Sequence, residues 1–255
     1  VDIDGAVNMA TTALVTGVLT TTAATVFNGG YASNAASTQS KKLTISNPLA
    51  NAEGFRVIQT TAARTSGGAL GLFYDDVAGT NQTTLSVINN GTGSAFQVSD
   101  GGATVFKIAD GGFVTKPLQP AFQAIPASTQ SNIAANNSAV TVVFGTERFD
   151  QNANFASNTF TAPVAGRYQF NYGIYTNALD SAAAYYEAAL VTSNRTYYTT
   201  IDPDFGQDNT HWAFNLAVLA DMDASDTALV YIYQNGGTAQ TDITVSSFFS
   251  GYLVA

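Results

Sequence analysis

The sequence predicts an all-β protein in two parts, a β-rich stalk of short segments followed by a β-sandwich or jelly roll. Three observations predict it. In the C-terminal half, large apolar residues alternate with small or polar ones at period two: Tyr168, Phe170 and Tyr172 against Gln169 and Asn171, and Trp212, Phe214, Leu216 and Val218 against His211, Asn215 and Ala217. No long stretch shows the apolar spacing of an amphipathic helix; "NPLANAEG" offers at most a turn of one. Finally, "FQVSDGG" (Phe96 to Gly102) returns ten positions later as "FKIADGG" (Phe106 to Gly112). Each copy is a short alternating strand closed by Asp-Gly-Gly, where Asp bonds its own backbone and Gly accepts positive φ.

Along the chain, residues 1–116 read as a string of short β segments punctuated by glycine: "ALVTGVLTT", "TVFNGGY", "KKLTIS", "FRVIQTT", "GALGLFYDD", "TTLSVINNG" and the repeated pair. Strands this short cannot bury an apolar side alone, so they predict neighbours from other chains. The repetition is loose, which argues for a segmented stalk over a regular solenoid. The stretch "TKPLQP" (Thr115 to Pro120) holds two of the six prolines and places the domain boundary at 116/117. From 117 to 255 the segments lengthen and turn aromatic: "AFQAI", "VTVVFG", "NTFTAPV", "GRYQFNYGIYTN", "YEAALVTSN", "TYYTTI", "HWAFNLAVLADM", "TALVYIYQN" and "DITVSSFFSGYLVA". About nine strands separated by turn signals predict a sandwich.

Composition narrows the function. Of 255 residues, 45% are hydrophobic, which argues against disorder, and only 11% are charged, under half the ~25% usual in soluble proteins. The surface is therefore neutral-polar. A net charge of −9 with nine Lys and Arg leaves too little positive charge for a phosphate backbone, so nucleic acid is not an expected partner. The absence of Cys removes disulfides, thiolate nucleophiles and Cys-ligated metals. The uncharged run from Ala6 to Phe27 is long enough to span a bilayer, but recurrent Thr, Asn8 and acidic flanks (Asp2, Asp4) read as strands, and no membrane insertion is expected. The chain begins at Val1, which predicts a fragment or processed product of something longer.

The segment "FGTERFDQNANFASNTFTAPVAGRYQFNY" (Phe144 to Tyr172) resembles the signature of the C1q-like globular domain, the jelly roll shared with the tumour necrosis factor fold. The resemblance runs through Phe144, Asp150, Phe155, Phe160 and Gly166 to the alternating Tyr168, Phe170 and Tyr172. The gap between Phe155 and Phe160 is two residues shorter than the family pattern, a difference that falls in a loop. "PAFQA" is similar to the family's opening strand, "DMDASDTALVYI" to the turn before its penultimate strand, and "FFSGYLVA" to its closing strand. The resemblance covers residues 118 to 255 and implies a homotrimer with all amino termini emerging on one side. In place of a collagen-like stalk, which needs Gly at every third residue, this chain has Ala/Thr/Gly-rich short strands, a texture similar to trimeric bacteriophage tail fibres. The resemblance thus implies a virion fibre whose head binds a host-surface receptor, a glycan or a protein. Other virion proteins would join through the part preceding Val1, and the expected location is the virion surface. Alternatives are a structural capsid decoration or head fibre, a fibre-borne polysaccharide depolymerase, and a bacterial surface or spore protein.

Catalytic patterns are sparse. With His211 as the single His, two-His metal motifs are excluded, and neither a G-x-S-x-G elbow nor a P-loop occurs, so no enzyme is expected. His211 reads as a solvated or hydrogen-bonded side chain at a strand start, and Trp212 as core or interface. For recognition, the adjacent pairs Tyr185, Tyr186 and Tyr197, Tyr198 are candidates, because one of each pair faces out of a strand. An outward tyrosine suits sugars through ring stacking and rim hydrogen bonds, or alternatively packs in a trimer interface. No organic cofactor is expected. In "DPDFGQD", Asp202, Asp204 and Asp208 either form a plain acidic turn or converge on a Ca2+ ion.

Overall fold

A computed structural model describes residues 83–255, so the expected stalk before that point and the uncharged run from Ala6 to Phe27 lie outside the described residues. Leu85–Ala255 forms one compact unit. Its elements in chain order are β1 (Phe96–Asp100), β2 (Ala103–Ile108), a single 3-10 turn (Asp110–Gly112), β3 (Val114–Thr115), β4 (Ala121–Ile125), β5 (Val140–Thr141), β6 (Thr146–Gln151), β7 (Phe155–Ala156), β8 (Thr159–Thr161) and β9 (Gly166–Leu179). There follow β10 (Tyr185–Thr192), β11 (Thr196–Ile201), β12 (Asn209–Met222), β13 (Thr227–Asn235), β14 (Asp242–Ile243) and β15 (Phe248–Leu253). The unit is all-β, as predicted. No helix among the described residues is long and apolar enough to cross a membrane.

The repeated segment forms an antiparallel hairpin, β1 against β2, with β3 added at the far edge. Its two Asp-Gly-Gly turns use the conformation predicted: Gly101 and Gly102 sit at φ 54° and 85°, and Gly111 and Gly112 at 79° and 83°. Val98 pairs with Phe106, Phe96 with Ile108 and Ile108 with Val114, so the apolar residues share one face.

The jelly roll packs two antiparallel sheets, β12-β9-β15-β4-β6 with β14 beside β9, and β11-β10-β13-β8-β7 with β5 beside β13. It has twelve strands where about nine were predicted, because β6 and β7 lie outside every predicted segment and "DITVSSFFSGYLVA" holds two strands, β14 and β15. The two sheets close on an aromatic core. Phe122 stacks on Phe155 and Phe160 at 4.8 and 5.0 Å, and meets Phe249 edge-on at 5.0 Å. Phe160 meets Tyr168 and Phe170 at 5.4 and 5.5 Å. These rings are the inward members of the alternating strands, and burial of such rings is the main stabilising contribution here.

The geometry also explains the spacing read between Phe144 and Tyr172. The Asp150 carboxylate accepts hydrogen bonds from the backbone N–H groups of Asn154 and Phe155 (3.1 and 2.9 Å), which holds the turn that delivers Phe155 to the core. The Phe144 N–H donates to Asn158 Oδ1 at 2.8 Å. At Gly166 a Cβ would lie 2.6 Å from the Ala255 carbonyl oxygen, so the start of β9 admits only glycine beside the closing chain. Tyr168 enters the core with its hydroxyl donating to the Val164 carbonyl at 2.8 Å.

Candidate functional site

Strands β10, β11 and β13 lie side by side, and their registers decide which side chains meet on the outer face. Glu187 stands between Thr200 of β11 and Tyr233 of β13, and Ala189 between Tyr198 and Tyr231. One position further along, Tyr185 is opposite Asn235. Period two turns all of these away from the core. The result is four tyrosines, Tyr185, Tyr198, Tyr231 and Tyr233, arranged around one carboxylate.

The tyrosines touch in pairs. The Tyr185 and Tyr233 rings are 5.8 Å apart at an interplanar angle of 31°, and Asn235 Nδ2 donates to the Tyr233 hydroxyl at 3.2 Å. Across the small Ala189 the Tyr198 and Tyr231 side chains lean together. Ala189 is wholly buried although it sits on the outward side of its strand. Burial first, then the charge of Glu187 and the neighbouring Tyr198 hydroxyl, push the Tyr231 hydroxyl up to about 12. Burial, then Tyr233 and Glu187, push Tyr185 upward as well. Tyr198 remains 53% exposed, so a ligand can reach the middle of the cluster.

Of the four tyrosines expected from the sequence, two face out and two face in. Tyr185 and Tyr198 are on this outer face. Tyr186 is a correction: it is fully buried, its hydroxyl accepting from the Asp180 N–H at 2.9 Å and lying 2.9 Å from Thr241 Oγ1, so it presents nothing to a ligand. Tyr197 is half-buried opposite Leu190 and packs on the core. Tyr231, Tyr233 and Glu187 were not singled out. The alternation in "TALVYIYQN" carried a signal for the two tyrosines, but only the strand register brings them beside Tyr198 and Tyr185.

For Asp202, Asp204 and Asp208, expected either as a plain acidic turn or as a Ca2+ site, it is the convergence on one ion that the geometry corrects. Among the described residues no three acidic or histidine side chains are gathered in a way that could hold a metal ion. Asp202 Oδ1 accepts from the Asp204 N–H at 3.1 Å, a local turn contact. Asp208 is drawn elsewhere: Oδ1 accepts from the Ser181 N–H and hydroxyl, both at 3.0 Å, and Oδ2 from Gln240 Nε2 at 2.8 Å. These bonds hold the Asp208 carboxyl below its usual range. The carboxylate thus ties three loops together. His211 is exposed and bonded through Nδ1 to Asn177 Oδ1 at 2.8 Å, and Trp212 packs on the core and, at 5.8 Å, on Phe205.

The other sheet presents a different outer face. Arg167 and Asp221 are paired at one end of it, and between that end and His211 the outward positions of β9, β12 and β15 are uncharged: Gln169, Asn171, Asn215, Ala217, Phe248 and Ser250 among them. At Gly173 a Cβ would lie 2.6 Å from Phe248 Cε1, so the missing side chain lets that ring lie flat across the strands.

A family model described as the C1q domain matches residues 121–254. Among solved structures, the chain is similar to the globular domain of zebrafish complement 1qA protein, at 14% identity over 54% of this chain and 98% of that one, with a TM-score of 0.41. It is also similar to murine APRIL, at 8% identity over 53% and 99% of the two chains, with a TM-score of 0.40. No curated protein sequence matches it.

Proposed function

Since the chain belongs to the C1q domain family, whose members are in general binding domains that commonly form trimers, we propose that it is the homotrimeric head and upper stalk of a virion fibre. The head attaches the particle, a bacteriophage or related virus, to a glycan on the host surface. It acts by binding and not by catalysis.

The contrast between the two outer faces carries this reading. The uncharged face on β9, β12 and β15 suits packing against copies of itself, since no charge there has to be desolvated without a partner. The tyrosine face on β10, β11 and β13 belongs to the opposite sheet, so it stays open when the first face is covered. Tyrosine rings stack on the C–H faces of sugars, and their hydroxyls, with Asn235 and Thr200, supply hydrogen bonds at the rim. Three such faces on one rigid head multiply a weak affinity without new contacts at any single site. The fibre role is supported by the upstream sequence texture of short Gly-punctuated segments and by the β1–β2 hairpin that the last of them forms. Other virion proteins would be joined through the segment preceding it.

The test is binding of the full chain to whole host cells and to a glycan array, with Tyr198→Ala and Tyr231→Ala as controls. The expected result is binding to one glycan class, lost in both variants. Binding to no cell and no glycan would remove the receptor role and leave a structural fibre.

A further inference from the structure

Taking the tyrosine face as the ligand-binding surface, we propose that its ligand carries a positively charged ammonium group, seated over Glu187 between the rings of Tyr198, Tyr231 and Tyr233. An amino sugar or a choline-type substituent on a surface glycan has this chemistry. The inference deepens the glycan reading and rests on it.

Glu187 is half-buried, and the residues opposite it on both neighbouring strands, Thr200 and Tyr233, bring no positive charge. Nor do the flanking positions Tyr185, Ala189, Tyr198, Tyr231 and Asn235. Arg195 lies beyond the Val191–Thr196 pair, at the far end of the same hairpin. Among the described residues, no side chain forms a hydrogen bond or ion pair with this carboxylate. A neutral sugar laid across the tyrosines would displace water from the carboxylate and offer hydroxyl donors but no opposite charge, so part of the desolvation cost stays uncompensated. An anionic sugar would meet direct repulsion from Glu187 in a chain of net charge −9. An ammonium group replaces the water with an ion pair and at the same time meets the electron-rich faces of several tyrosine rings. The upward push that Glu187 exerts on both Tyr185 and Tyr231 is consistent with its central position among them.

The experiment is a methyl NMR titration of the full chain, labelled at Val and Leu, with choline and glucosamine and with their uncharged counterparts, dimethylbutanol and N-acetylglucosamine. The methyls of Val191 and Leu229, which pair in the next row of the same face, report occupancy. Both cations should shift them saturably and bind about tenfold more tightly than the uncharged probes. Glu187→Gln should abolish that preference, leaving both cations bound no more tightly than the uncharged probes. Equal affinity for charged and uncharged probes, a preference unchanged in Glu187→Gln, or no saturable shift with choline would each overturn the inference. The glycan reading fails on a different result, namely host-cell binding that survives Tyr198→Ala and Tyr231→Ala.

Discussion

Adding one methyl group at Gly251 should measurably destabilise the head. Gly251 lies in β15 directly opposite Phe122 of β4 and Phe170 of β9, with its missing side chain directed into the core. A Cβ there would stand 2.5 and 2.7 Å from Cδ1 and Cε1 of Phe170, and 2.9 Å from Cε1 of Phe122. Carbon atoms pack at about 3.5–4.0 Å, so both rings would have to retreat by roughly an ångström. Neither has room. Each is only 1% exposed, and Phe122 is already stacked on Phe155 and Phe160. Overpacking of this kind costs about 1–3 kcal/mol, and for a unit of this size that lowers Tm by about 2–12 °C. A thermal melt followed by circular dichroism, comparing Gly251→Ala with the parent chain, reads this directly. Gly173→Ala should cost less, because the atom it meets belongs to Phe248, a half-exposed ring that can swing outward. An unchanged Tm for Gly251→Ala would mean that the two sheets do not close on these rings.

Two further predictions concern pH. Burial pushes the hydroxyls of Tyr172 and Tyr231 up to about 12 in the folded chain. Groups raised in this way contribute stability that is complete below the unfolded tyrosine value of about 10 and is lost as pH rises through the folded value, so the melting temperature should fall between about pH 10 and 12. Tyrosinate absorbance should show these residues ionising late or together with unfolding. A flat Tm across that window would contradict the burial. On the acid side, the Asp208 carboxyl is depressed by its bonds to Ser181 and Gln240, so its contribution is present above the unfolded value of about 4 and is lost as pH falls through the lower folded value. Asp208→Asn should flatten the loss of stability below about pH 4, and a chelator should leave Tm unchanged in both chains. A chelator-induced drop in Tm would restore the calcium reading of "DPDFGQD".

The head was legible in the sequence where one strand carries its own evidence. Tyr168, Phe170 and Tyr172 alternate with polar residues over a strand long enough to show the period, and they are buried as that alternation predicts. Strands β6 and β7 were not legible, because "TERFDQ" is polar and charged around a single Phe149 and the two residues of β7 have no period. For the site, adjacency in sequence showed that one of each tyrosine pair must face out. It could not show which one, since that choice depends on which side of the strand meets the second sheet. The link from Tyr198 across Ala189 to Tyr231 spans three strands, and only their register makes it. Asp202, Asp204 and Asp208 mislead for the same reason in reverse. Their spacing suits one ion, but Ser181 and Gln240, distant in sequence, engage Asp208 first.

In the proposed trimer, one sheet face joins copies of the chain and leaves the tyrosine face open. The solution mass from light scattering tests it most directly. The parent chain should have about three times the 26.5 kDa mass of one chain. Ala217→Lys, which puts a charge in the middle of the uncharged face, should reduce the mass toward that of one chain, and Tyr198→Lys on the opposite sheet should leave it threefold. A parent chain with the mass of a single copy would rule out this arrangement, as would a trimer that Tyr198→Lys breaks and Ala217→Lys does not.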